Sequence, residues 1–110
     1  MMTTFDVLAE PTRRRMLDLL REEPRSVGEL VELLGVSQPG ASKHLRVLRQ
    51  AGLVQARPEA QRRVYELIPA PLVEVDTWLQ PYRRLWEHSL DALEQHLDRM
   101  PDEPDRPDRD

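Results

Sequence analysis

Gly35-Val36-Ser37 leaves this chain only three residues in which to end one helix and begin the next. Upstream, Val27, Leu30, Val31 and Leu34 recur at i, i+3, i+4 and i+7, one face of a two-turn helix, and Gly35 can take the left-handed conformation that stops it. Its start is marked by Ser26-Val27-Gly28-Glu29, where the serine oxygen accepts from the backbone N–H three residues on and the glutamate reaches back. Downstream, Ser37 caps a second helix whose apolar residues Ala41, Leu45 and Leu48 form one stripe ending near Ala51-Gly52. A link this short makes the second helix turn sharply against the first.

Both flanks fit that unit. An earlier helical signal runs through Phe5, Leu8 and Ala9 and past Pro11 to Met16, Leu17 and Leu20, with Pro11 in a first turn and Glu10 at or near the cap. Arg13, Arg14 and Arg15 read as a solvated face on which Arg14 and Asp18 make an i,i+4 pair. A helix feeding two helices across a tight turn is a helix-turn-helix. Leu53 to Arg57 and Arg62 to Leu67 then suit two strands separated by Pro58-Glu59-Ala60-Gln61, a hairpin with arginines at its tip, which is a wing.

After Pro69-Ala70-Pro71 the apolar positions Leu72, Val75, Leu79, Tyr82, Trp86, Leu90, Leu93, Leu97 and Met100 return at heptad-like spacing. Pro81 cannot donate to the carbonyl of Thr77 and disfavours helix at Gln80, so a helix ending near Leu79 and a second one after it, or a strong kink, is expected. Residues 101–110 are acidic and proline-rich with nothing large to bury, and read as a disordered tail behind one domain spanning residues 1–100.

The fold class expected is mainly α with a small β-hairpin. At 110 residues the chain is one small domain that buries roughly two-thirds of its unfolded surface, so self-association is the expected supplement to a thin core. There is no cysteine, hence no disulfide and no thiolate metal site. The first residues have neither a basic flank nor an apolar run and no stretch is long enough to span a membrane, which makes a soluble cytoplasmic protein the expectation.

The net charge of −4 conceals an asymmetry. From Ser37 to Tyr65 six cations face one acid, whereas from Leu67 onward five arginines face eleven acids. A phosphate backbone feels the local patch, within a Debye length of roughly 10 Å, so the middle of the chain is a candidate nucleic-acid face. With Ala41, Leu45 and Leu48 turned inward, the helix over 37–50 points Pro39, Gly40, Lys43, Arg46, Val47 and Gln50 outward, flanked by Ser42, His44 and Arg49. Ser37 and Gln38 bring free backbone N–H groups of a helix start. The DNA-contacting set is therefore Ser37, Gln38, Gly40, Ser42, Lys43, His44, Arg46 and Arg49, with Arg57, Arg62 and Arg63 from the wing: cations for phosphates, amide and hydroxyl groups for base edges.

The runs Ala9-Glu10-Pro11-Thr12-Arg13-Arg14-Arg15-Met16-Leu17, Ser26-Val27-Gly28-Glu29-Leu30, Ser37-Gln38-Pro39-Gly40-Ala41-Ser42-Lys43-His44-Leu45 and Leu48-Arg49-Gln50-Ala51-Gly52-Leu53-Val54 resemble the ArsR family of winged-helix repressors over about residues 4 to 100. The resemblance implies a winged helix-turn-helix homodimer that pairs through its first and last helices, binds an imperfect palindrome in double-stranded DNA and blocks transcription. Phe5, Leu8, Trp78, Tyr82, Trp86, Leu90, Leu93 and Leu97 are the expected dimer interface. Ala60-Gln61 stands where such proteins commonly have glycine, which implies a longer or less regular wing turn here.

Metal sensing, which the family suggests, is not expected. Where thiol-based sensors carry cysteines this chain has Ser26, Gly28 and Val31, and the last helix offers His88, Asp91, Glu94 and His96 without a complete ligand set. No cofactor is implied. Catalysis is not expected either, since Glu87, Asp91, Glu94 and Asp98 repeat as one solvated face and no nucleophile accompanies them. Trp78, Tyr82 and Trp86 read as packing residues, with a pocket for an organic ligand as the alternative, and an organic ligand or protein effector stays open. The competing function is a winged helix that docks an acidic protein partner with the same basic face. The two readings separate on sequence preference for one duplex.

Overall fold

Hydrogen-bonding side chains punctuate the chain where the sequence places them. In a computed structural model, which describes residues 2–99, the elements are α1 (Thr4–Leu8), α2 (Pro11–Glu22), β1 (Arg25–Ser26), α3 (Val27–Leu34), α4 (Gln38–Gln50), β2 (Val54–Glu59), β3 (Arg62–Leu67) and α5 (Leu72–Arg99). Glu10 caps α2 by accepting from the N–H of Thr12, with Pro11 in the first turn. Ser26 and Glu29 form the reciprocal capping box of α3, which stops at Gly35 with φ 68°. Ser37 caps α4. The expected disorder of residues 101–110 and the stripe position Met100 lie outside the described residues.

The buried faces of the first four helices meet a small sheet. Met16, Leu17 and Leu20 of α2, Leu30 and Leu34 of α3, and Ala41, Leu45 and Leu48 of α4 pack with Leu53, Val54 and Tyr65 in one core. A fully buried leucine contributes about 1.5–3 kcal/mol over an exposed one, so these residues hold α4 to the body of the fold. The result is α3, a three-residue turn and α4, followed by a hairpin wing.

The sheet differs from expectation in two respects. It has three strands in the order β1-β3-β2, all antiparallel, with Arg25 opposite Tyr65 and Ser26 opposite Val64. A two-residue strand carries no periodicity of its own and exists only because β3 is there to pair with. The hairpin turn is also shorter than Pro58–Gln61: β2 continues through Pro58 and Glu59, and Glu59 pairs with Arg62. Proline is tolerated because β2 is an edge strand. Two residues, Ala60 and Gln61, make the turn, with Ala60 at φ 56°. The turn is thus tight, and its strain is confined to a single alanine.

Two further expectations are corrected. Arg13 is not on a solvated face but is 9% exposed, and Arg14 donates to the carbonyl of Leu8 at 2.6 Å rather than pairing with Asp18. Of the two outcomes expected at Pro81, the break near Leu79 does not occur: α5 is helical from Leu72 to Arg99 with Pro81 inside. Thr77 and Gln80 are exposed, so water can reach the carbonyl that Pro81 leaves without a donor, and the helix survives the loss.

By contacts the chain divides into two units, Met1–Thr77 and Trp78–Asp110. The first contains α1 to α4, the sheet and the opening turns of α5. In the second, the described residues continue α5. No residue of α5 is buried, and no helix among the described residues is long and apolar enough to cross a membrane.

Candidate nucleic-acid interface

Helix α4 is amphipathic in the sense the sequence requires. Ala41, Leu45 and Leu48 are buried, while Gln38, Pro39, Ser42, Lys43, Arg46, Arg49 and Gln50 are exposed and Gly40 and His44 are half-buried. Val47, expected to face outward, is half-buried instead and lines a recess of about 510 Å³ with Met2, Val7, Gln50 and Ala51. The open face is therefore turned toward Ser42, Lys43, Arg46 and Arg49. Arg46, Arg49 and Gln50 border a shallow depression of about 280 Å³.

The start of α4 is more fully used than a bare helix terminus. Ser37 Oγ accepts from the Gly40 N–H at 3.1 Å, the Ala41 N–H goes to the Ser37 carbonyl at 2.9 Å, and Pro39 has no N–H. Among the described residues no partner is recorded for the N–H groups of Ser37 and Gln38, the two expected to be free there. A Cβ at position 40 would sit 3.0 Å from Ser37 Oγ, so Gly40 protects the cap as well as permitting close approach.

Charge divides the cations into two classes. Lys43, Arg46, Arg49 and Arg63 have no carboxylate within ion-pair distance among the described residues, whereas Arg57 and Arg62 do. Arg57 Nε lies 3.3 Å from Glu66 Oε2, and Glu66 also accepts from Gln55. The Gln55 and Arg57 donors hold the Glu66 carboxyl below its ordinary value. Arg62 reaches Glu29 at 2.7 Å and Glu59 at 3.4 Å. Consecutive strand residues point to opposite faces, so Arg62 shares its face with Arg57 while Arg63 projects from the other. The sequence grouped these three arginines; the structure separates them.

His44 is half-buried, and Nη1 of Arg13 lies 3.5 Å from its ring Nδ1. Arg13 and Glu29 both act on the candidate interface and neither was anticipated. No local pattern announces Arg13, since its burial depends on where α1 ends. Glu29 was legible as a cap but not as the partner of Arg62, thirty-three residues away.

The expected dimer positions lie open. Trp78 is 54% exposed, Trp86 51%, Leu90 63%, Leu93 52% and Leu97 57%, with Tyr82 and Phe5 less so and Leu8 half-buried. Leu85, off the heptad spacing, is equally open at 59%. Trp78 and Tyr82 stack at a tilt, with ring centroids 4.9 Å apart.

Comparison with known proteins agrees with this architecture. Residues 10–56 match the family described as bacterial regulatory protein, arsR family. The chain is 42% identical over 94 residues to the HTH-type transcriptional regulator Rv2034 of Mycobacterium tuberculosis, covering 86% of this chain and 85% of that protein. It is 32% identical to the transcriptional repressor SdpR of Bacillus subtilis, covering 72% of this chain and 88% of the repressor. Among solved structures, the homodimeric winged helix-turn-helix DNA-binding domain of Mb0332 from Mycobacterium bovis matches with TM-score 0.58 and 29% identity, covering 71% of this chain and 72% of that one.

Proposed function

The chain belongs to the arsR family of bacterial regulatory proteins, and from that membership we propose that it is a homodimeric repressor that binds a palindromic promoter operator and needs no metal to do so. The observation that carries the reading is α4 itself: its buried stripe fixes it to the core while Lys43, Arg46 and Arg49 stay without a protein carboxylate among the described residues. Cations left unneutralised beside exposed Gln38 and Ser42 suit phosphate contacts next to base-edge contacts. Arg63 extends the phosphate contacts from the wing. Two copies are needed for a twofold site, and the open apolar positions of α5 suit pairing with a second copy, as, on their own unit, do Phe5 and Leu8 of α1.

Chemistry supports the metal-free reading. Without cysteine, and with no cluster of His88, Asp91, Glu94 and His96 among the described residues, the single chain offers a metal few converging ligands with which to favour one quaternary state. The test is a binding titration on a duplex enriched by the protein from a random pool. Gln38→Ala and Ser42→Ala should each cost about 1–3 kcal/mol on that duplex and spare nonspecific binding. Adding zinc, nickel, cobalt or arsenite should leave affinity unchanged. A stoichiometric metal that shifts it tenfold, about 1.4 kcal/mol, contradicts the metal-free reading.

A further inference from the structure

Arg13 is the only charged residue buried among the described residues, and its guanidinium has three separate employments. Nε donates to the carbonyl of Val7 at 2.7 Å and Nη2 to that of Asp6 at 3.3 Å, which ties the group to the last turn of α1. Nη1 meets Nδ1 of His44, on α4, at 3.5 Å. A guanidinium has donors and no acceptor, so at this contact Nδ1 can only accept, and a neutral ring that accepts at Nδ1 carries its proton on Nε2. Nε2 has no protein partner among the described residues, and no buried unpartnered side-chain nitrogen or oxygen exists there, so Nε2 is reachable from solvent. The Glu10 carboxylate at the cap of α2 lies close enough to feel the charge of both.

We propose that Arg13 is a positioning residue of the DNA interface, which holds His44 in the Nε2–H form so that α4 offers one fixed N–H donor to an acceptor atom on the duplex. This rests on the DNA-binding reading of α4 above and deepens it. The donor is set by a residue that itself touches no DNA, and through Arg13 the end of α1 is mechanically joined to the recognition helix. A ring free to exchange tautomers would present a donor only part of the time, and an acceptor for the rest.

The test uses the full chain and two readouts. Long-range proton–nitrogen correlation spectra in alkaline buffer report the tautomer of each of the three histidines, with exposed His88 and His96 as internal references for unrestrained rings. His44 should show the Nε2–H pattern alone, and Arg13→Lys, verified as folded by thermal melting, should return it to a mixture. On a duplex enriched from a random pool by the unmodified protein, Arg13→Lys should weaken binding about tenfold. His44→Asn, which lacks the reach of the Nε2 position, should lose about tenfold, and His44→Gln, whose amide nitrogen stands near that position, should lose clearly less. In the His44→Gln background Arg13→Lys should cost nothing further. A mixed or Nδ1–H ring in the unmodified protein overturns the proposal without any variant, as does an equal loss from Arg13→Lys with and without His44→Gln. If the unmodified protein enriches no duplex, the DNA reading fails and takes this proposal with it, and a locked His44 ring distinguishes that result from an error about Arg13.

Discussion

Oε1 of Glu29 accepts both from Nη1 of Arg62, at 2.7 Å, and from the backbone N–H of Ser26, at 3.0 Å. One carboxylate oxygen thus closes the cap of α3 and receives a cation of the wing. Both side chains remain partly exposed, so the ion pair adds little to stability. Its larger effect is on the charge available to a partner, because the charge of Arg62 is already met by Glu29 and Glu59 while that of Arg63 is not.

The two wing arginines should therefore respond differently, contrary to their equal standing in the sequence. Arg63→Ala should lower the slope of log K against log salt concentration by about 0.9, one phosphate contact. Arg62→Ala should change that slope less. Equal slopes for the two variants, measured on any duplex, contradict the assignment.

Acid should weaken the fold through the same carboxylates. Hydrogen bonds from the backbone and hydroxyl of Ser26, with Arg62 adding its charge, hold Glu29 below its ordinary value of 4.5. The Thr12 backbone N–H does the same for Glu10, the Thr3 backbone and hydroxyl for Asp6, and Gln55 and Arg57 for Glu66. Folded values below unfolded ones mean that this stability is fully present above the unfolded values and disappears as pH falls through the folded ones. Thermal melting should show their contribution lost only below about pH 4.5, and Glu29→Gln should blunt that loss. A loss of the Glu29 contribution between pH 6 and 8 would contradict the linkage.

Ala60 bears the cost of the tight wing turn. A non-glycine residue in the left-handed region costs about 1–2 kcal/mol, and glycine gives back about 0.5–1 of that in unfolded-state entropy. Ala60→Gly should stabilise the protein by about 0.5–1 kcal/mol without altering the hairpin register, read as a rise of a few degrees in Tm. A fall in Tm would mean that the turn relaxes in solution.

What the sequence disclosed and what it withheld divide along contact range. Ser26, Glu29, Gly35 and Ser37 act on groups three or four residues away, so the boundaries of α3 and α4 could be read directly. Arg13 could not, because its acceptors are the carbonyls of another helix and its neighbour His44 lies thirty-one residues on. Strand β1 is hidden for the same reason, and whether Pro58 and Pro81 are tolerated depends on an edge position and on solvent access, which no local pattern shows. The candidate interface was legible as a set of residues but not as a division between neutralised and free cations.

The open stripe of α5 should be a dimer surface. Trp86→Asp combined with Leu93→Asp should give monomers by light scattering and abolish binding to a twofold-symmetric duplex, since both positions are about half exposed in the single chain. A persistent dimer places the interface elsewhere.

A homodimer of this chain should read one twofold DNA site. Genomic fragments selected by the purified protein, followed by titration of the enriched site against random duplex at physiological salt, test it most directly. The expected result is a palindromic site bound at least about 10³-fold more tightly than random duplex. Weak binding without sequence preference, together with tight binding to an acidic protein, would contradict it.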